Sequence, residues 1–540
     1  MAYLLVQGRL DEDVSTKCAV NDTKTVPQAA SFMELSGIHG LPYQEWRGDQ
    51  RQSSGRKTDY NTKDGKDTGP VPSRFGGQFL GEVVDYIANK FAKQYPNESN
   101  TWTGAARSFR FPFWDWAEEK VQTEGVPPVL TDPKVNITLP EGEFKQVANP
   151  LAYDEFAFIP DGFENITYPG DDGKQVTAYF AEWKRTYRYA SSKVNPGDSD
   201  VLAFNDTIKT RAKAIRAKVA DLFTFDGKCN PSRAWDEFSN HSTQSLREMD
   251  FRNLASLEGI HDSLHDFIGG NGHMSFPDYA GFDPIFFLHH SNVDRRLALW
   301  EYAYTDYFVG DSGYEHDDNL YQFTQSHGTY NAVYNSLLNR STEMAPFRAK
   351  DGEYRTPSNT RFLDSNAKMD KYYRHVIAIV ETLEFAHNGP YRVELHYQDG
   401  SYIDSVSVFS RPDHWLHDER DSGSTIRGIL YIPTEIIVEI AATFGNDQSN
   451  VSLDALMTKL RDSLHATIVN GAGKRIGAIG LPGSNRGTGV LAKFTTPEIT
   501  LVSGAASEAY DGDFKWFGWQ DHGPLFGRDR QWSTDGVPRA

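Results

Sequence analysis

Between residues 78 and 95, "QFLGEVVDYIANKFAKQY", the apolar residues Phe79, Val83, Tyr86, Ile87 and Phe91 recur at helical spacing, with polar residues between them. That period places the apolar side chains on one stripe of an α-helix. The same rhythm returns over 206–224, over 241–267 and over 291–308, where Ser291 or Asn292 would cap the helix. Two stretches break it. Residues 47–75, "RGDQRQSSGRKTDYNTKDGKDTGPVPSRF", are polar and charged and read as a loop or an insertion. "RFPFWDWAEE", 110–119, is aromatic but aperiodic and reads as a segment entering a loop.

Beyond about residue 345 the pattern changes to strand. "HVIAIVETLEF", "YRVELHYQD", "DSVSVFS" and "STIRGILYIP" are short β-type runs separated by Asn-Gly-Pro, Asp-Gly and Arg-Pro turn signals. The chain is therefore expected to be mainly α over 1–345, with a β-rich, antiparallel, sandwich-like domain over 346–540. The glycine-rich piece "NGAGKRIGAIGLPGSNRGTG" is expected to be a loop. Lys474 is followed by Arg instead of Ser or Thr, and the glycines do not fall in a G-x-G-x-x-G pattern.

Charge and cysteine content narrow the classes. A net charge of −19 argues against a nucleic-acid partner and against anionic membrane surfaces. Two cysteines, Cys18 and Cys229, exclude a disulfide framework and any four-cysteine zinc site. The first residues, "MAYLLVQGRLDEDVSTK", lack a basic, apolar leader, so a cytoplasmic location is the expectation.

The chemistry concentrates in "EGIHDSLHDF" and "FDPIFFLHHSNVDRR". His261 and His265 stand at i and i+4 on the expected helix, on one face. The pair His289–His290 follows an apolar run, and burying imidazoles there is costly without partners. Three imidazoles without thiolate or carboxylate suit Cu, Zn, Fe or Ni. A hydrogen-bonded histidine pair is the plainer alternative. Glu258-x-x-His261 also fits the Glu-x-x-His pattern of a di-iron carboxylate bundle, which needs that motif twice. Its other occurrence, Glu384 to His387, falls in strand-like sequence. His39, alone in "GIHGLPYQEW", reads by itself as a loop histidine bonded to backbone.

Together, "HDSLH" and "FDPIFFLHHSNVDR" resemble the copper-B half of the type-3 copper proteins, the tyrosinase and polyphenol oxidase family in its long fungal form. "SFMELSGIHGLPYQEW" resembles the segment carrying the first copper-A histidine, "FRFPFWDWA" the Pro-x-Trp-Asp-Trp segment, and "WDEFSNH" a stretch preceding copper B. "VSVFSRPDHWLHDE" resembles part of the tail domain. The resemblance implies a four-helix core holding two copper ions, with three histidines each. It implies O2 and a small phenolic substrate, with phenols hydroxylated or catechols oxidised to o-quinones for melanin, another pigment or a secondary metabolite. Carried onto this chain, His39 matches a copper-A ligand, and His261, His265 and His290 match the copper-B ligands. His289 and Phe286 would support them, and Glu258 with Asp262 would hold a water that helps deprotonate phenols. The tail domain would cover the site, as in latent members.

One part of the pattern is missing. The family's copper-A half takes two further histidines, in Cys-x-His and Trp-His-Arg segments just before the helix at 78–95. No histidine occurs here between 40 and 240, and Ser73–Arg74 stand about where His-Arg would. A skipped exon or retained intron across 47–75 explains this best. The alternatives are a catalytically impaired, copper-B-only homologue and an O2- or copper-binding relative.

Overall fold

A computed structural model describes residues 2–10, 31–42, 73–169, 175–223, 255–304, 374–387, 389–410, 425–444, 452–481, 496–508 and 514–527, with a few shorter pieces elsewhere. The principal helices of the first part are α1 (Phe32–His39), α2 (Ser73–Gln94), α3 (Val201–Leu222), α4 (Leu257–Gly269) and α5 (Ile285–Ala303). Side-chain caps start three of them. Ser31 accepts from the Glu34 N–H, Asp200 from Ala203 and Ser256 from Gly259, each satisfying an amide that the helix leaves unpaired.

Two helices depart from expectation, for physical reasons. The helix expected over 241–267 is α4, which begins only at Leu257 behind its Ser256 cap. Ser242–Thr243 is instead a short strand, and 244–254 lie outside the described residues. The helix expected from 291 begins at Ile285, so His289 and His290 lie inside α5 and not before it. The run Ile285–Leu288 is buried all round, so it shows no amphipathic period that would mark it as helix. Its start is set by Pro284 and by Asp283, whose carboxylate accepts from the Ile285 N–H at 3.1 Å.

Asp283 is itself locked. Arg188 donates to it through Nε at 2.9 Å and Nη2 at 2.5 Å, and both side chains are almost fully buried. The remaining Arg188 donors reach the Leu130 and Leu151 carbonyls. Phe204, Ile208, Ala212, Ile215, Val219 and Leu222 of α3, three or four apart, pack with Ile260, Leu264 and Phe267 of α4 and the start of α5 in one apolar cluster.

The second part is β-structured, as its sequence runs predict. Strands β1 (Arg374–Leu383), β2 (Tyr391–Tyr397), β3 (Tyr402–Val408), β4 (Thr425–Ile432), β5 (Leu464–Asn470), β6 (Arg475–Ile479), β7 (Glu498–Glu508) and β8 (Phe514–Pro524) form two antiparallel sheets. Their orders are β8-β7-β1-β4, with Ser242–Thr243 on the β4 edge, and β3-β2-β5-β6. Part of the glycine-rich stretch expected as a loop is thus strand β6, joined to β5 by a turn in which Gly473 takes φ +80°.

Alternation along β1 ties the two parts together. Val376, Ala378 and Val380 face the cluster between the two sheets. Ile377 and Ile379, one residue out of phase, belong to the helical cluster, as do Ile429 of β4 and Val502 of β7. Buried ion pairs reinforce the junction. Lys218 of α3 donates to Asp404 at 3.0 Å and to the Ser405 carbonyl at 2.6 Å, Arg211 meets Glu394 at 2.9 Å, and Arg392 meets Asp266 of α4 at 2.9 Å. The expected boundary at 345 lies outside the described residues. Among the described residues no helix is long and apolar enough to cross a membrane.

Candidate metal centre

One turn of α4 separates His261 from His265, and α5 brings His289 and His290 against them. The three side chains carried over as copper-B ligands meet through their Nε2 atoms. His261 Nε2 lies 2.9 Å from His290 Nε2 and 3.1 Å from His265 Nε2.

The other ring nitrogen of each decides what these contacts are. His265 Nδ1 lies 2.9 Å from the Met274 carbonyl oxygen, and His290 Nδ1 lies 2.8 Å from that of Phe286. His261 Nδ1 lies 2.7 Å from Asp262 Oδ1. A carbonyl or carboxylate oxygen only accepts, so all three protons sit on Nδ1. Each Nε2 therefore presents a lone pair, and no proton lies between them. The His261 lone pair faces the other two at about 3 Å, which is repulsive, and a cation held among the three relieves the repulsion. Burial first, then the neighbouring imidazoles, holds His265 and His290 well below the ordinary histidine pKa, so both stay in the neutral, ligating form.

His289 completes a group of four histidines whose ring nitrogens lie within 4.8 Å of one another. Its ring stacks on His261 at 5.2 Å, and neither of its nitrogens has a hydrogen-bond partner among the described residues. Phe286 lies with its ring centroid 3.9 Å from that of His290 and 4.9 Å from that of His39. His39, the last residue of α1, is buried, and its ring lies 6.2 Å from His290. The next residue must be small: a Cβ on Gly40 would lie 2.7 Å from the Asp278 carbonyl oxygen.

Asp262 is buried, and one of its oxygens is committed to His261. Glu258 sits in the first turn of α4, one turn before His261, and is only partly buried. Glu384 and His387 fall in the turn after β1, so no second helical Glu-x-x-His stands beside α4 among the described residues.

Several site residues were not legible beforehand. Phe409, just past β3, stacks on His265 at 4.3 Å and 24° and approaches His261 at 6.4 Å. The Met274 carbonyl is a backbone group with no signature of its own. The glycine pair at the C-terminal end of α4 hints at it, because a Cβ on Gly269 would lie 2.2 Å from the Ser275 amide. Asp115 of "FWDWA" pairs with Arg295 at 3.1 Å and Arg296 at 2.5 Å, clamping α5 behind its histidines.

Residues 29–303 match the family described as the common central domain of tyrosinase. The chain belongs to the tyrosinase family. It is 32% identical over 324 residues to polyphenol oxidase 2 of Agaricus bisporus, covering 59% of this chain and 50% of that protein. It is 26% identical over 397 residues to a tyrosinase of Podospora anserina, covering 68% and 58%. The chain thus spans about half the length of the curated relatives it matches. Its fold is that of recombinant mushroom tyrosinase, with a TM-score of 0.67 at 18% identity, covering 96% of this chain and 93% of that one.

The family binds two copper ions, and the all-imidazole cluster fits one of them. The residues present do not fit the second. Among the described residues His39 is the one histidine carried over to the copper-A side, and the sequence has no other histidine before His241.

Proposed function

We propose that this chain is a copper-dependent oxidoreductase that oxidises phenols or catechols to o-quinones with O2, in the synthesis of a pigment or secondary metabolite. The observation that carries the reading is the convergence of two proton-free Nε2 atoms, of His265 and His290, to within 3.1 Å of the proton-free Nε2 of His261, inside the segment that matches the tyrosinase domain. The printed names of the relatives, polyphenol oxidase and tyrosinase, support it.

In this reading His261, His265 and His290 hold copper, which supplies electron exchange with O2 and the phenol when bound. The surrounding residues orient and exclude. Backbone carbonyls fix the tautomers of His265 and His290, and Phe286 and Trp116 keep water from the rear of the cluster. His261, with 20% of its side chain exposed, marks the side from which a phenol approaches. Glu258 would hold the water that takes the phenol proton. The helices α2 to α5 form the four-helix core, residues 346–540 form a sandwich-like domain, and Phe409 from that domain covers His265.

A second reading follows from the missing copper-A histidines: a copper-B-only homologue without oxidase activity. One experiment separates them. The purified chain is loaded with copper, its metal content is measured, and quinone formation from a catechol and a monophenol is followed. Quinone formation supports the enzyme. About one copper per chain without quinone supports the second reading, and no bound copper refutes both.

A further inference from the structure

The three converging histidines are not held alike. His265 and His290 each donate a hydrogen bond from Nδ1–H to a neutral backbone carbonyl, whereas His261 donates to the Asp262 carboxylate at 2.7 Å. That carboxylate is buried, so its charge is poorly screened from an ion on the far side of the ring. A charged acceptor polarises an imidazole more than a carbonyl does and makes its other nitrogen the stronger donor.

We propose that Asp262 is a positioning residue that makes His261 the dominant donor of the three and biases the centre toward the oxidised, more highly charged state of its copper. This rests on the copper reading above. The carboxylate does so in two ways. It fixes the ring so that Nε2 faces the other two Nε2 atoms, and it places a negative charge one imidazole away from the ion. Of the three Nδ1 acceptors it is also the one that a point substitution can remove, because the other two are backbone.

Two substitutions separate geometry from charge. In Asp262→Asn the amide oxygen still accepts from Nδ1 while the charge is gone. In Asp262→Ala both are gone. The expected results are a loss of about 10–100-fold in Cu(II) affinity for Asp262→Ala, and for Asp262→Asn a smaller loss of affinity with a more positive copper reduction potential and an altered Cu(II) EPR spectrum. Thermal melts of the metal-free proteins report any purely structural cost separately. A wild-type potential and EPR spectrum in Asp262→Asn, or wild-type Cu(II) affinity in Asp262→Ala, overturns the proposal while leaving the oxidase reading in place. Shifted potentials without quinone formation by the wild type overturn the oxidase reading alone. A wild type that takes up no copper overturns both.

Discussion

His273 offers a test of burial energetics away from the ligand set. It sits in the short turn after α4, fully buried, with its ring 4.8 Å from Phe180, 5.7 Å from Trp183 and 5.8 Å from Phe156. Its Nδ1 accepts from the Tyr187 N–H at 3.1 Å. Burial pushes its pKa down from 6.5 to about 3. In the unfolded chain the group titrates near 6.5, so below that pH the unfolded state binds the extra proton. Stability from this group is therefore complete above pH 6.5 and is lost as pH falls toward 3. At about 1.4 kcal/mol per pH unit, the loss is roughly 2 kcal/mol at pH 5 and about 5 kcal/mol by pH 3. His273→Asn keeps an oxygen to accept from Tyr187 and removes the titration. Its lost ring contacts cost the same at every pH. Urea unfolding of both metal-free proteins at pH 7, 6 and 5 should show the wild type losing about 2 kcal/mol more than the variant across that range. Parallel curves would refute the reasoning.

Other outcomes follow from the same structure. Asp283→Ala strands the buried Arg188 guanidinium and frees the first amide of α5, so it should destabilise by about 3–5 kcal/mol in denaturant titration, against under 1 if the pair is dispensable. His290→Ala removes one of the three converging nitrogens and should abolish stoichiometric copper binding, read by metal analysis of the dialysed protein. Phe409→Ala uncovers the His265 ring and should raise the rate of catechol oxidation; an unchanged rate argues against a covering role. With copper bound at about 1,000 times its Kd, a chelator should lower stability by about 4 kcal/mol, seen as a drop in melting temperature.

Elements whose periodicity met a polar surface were legible in sequence. The run at 78–95 is α2, whose apolar stripe meets the core while Glu82 and Asp85 face water. The four β-type runs are β1 to β4, which are buried on both faces or nearly so and were legible from their β-branched residues and the turn signals between them. The start of α5 was not legible, because Ile285–His290 is buried on all sides and carries no period. The upper part of the expected 241–267 helix failed for another reason: pairing with β4 turned Ser242–Thr243 into strand, a long-range contact that local propensity cannot show. At the site, the histidines announced themselves by spacing. Two of the groups that set their tautomers did not, being backbone carbonyls of Met274 and Phe286, and Phe409 arrives from more than a hundred residues away.

The two faces of β1 bear on what cleavage of this chain would accomplish. Ile377 and Ile379 sit in the helical cluster while their neighbours fill the space between the sheets, and Ile429 and Val502 do the same from β4 and β7. A protease cutting anywhere in 345–373 would sever the backbone and leave both fragments glued by this shared interior, so a nicked molecule should still run as one particle in gel filtration. A chain ended at residue 345 would be worse off than a nicked one. It would display the bared flank of α3, α4 and α5 to water and should aggregate when expressed alone.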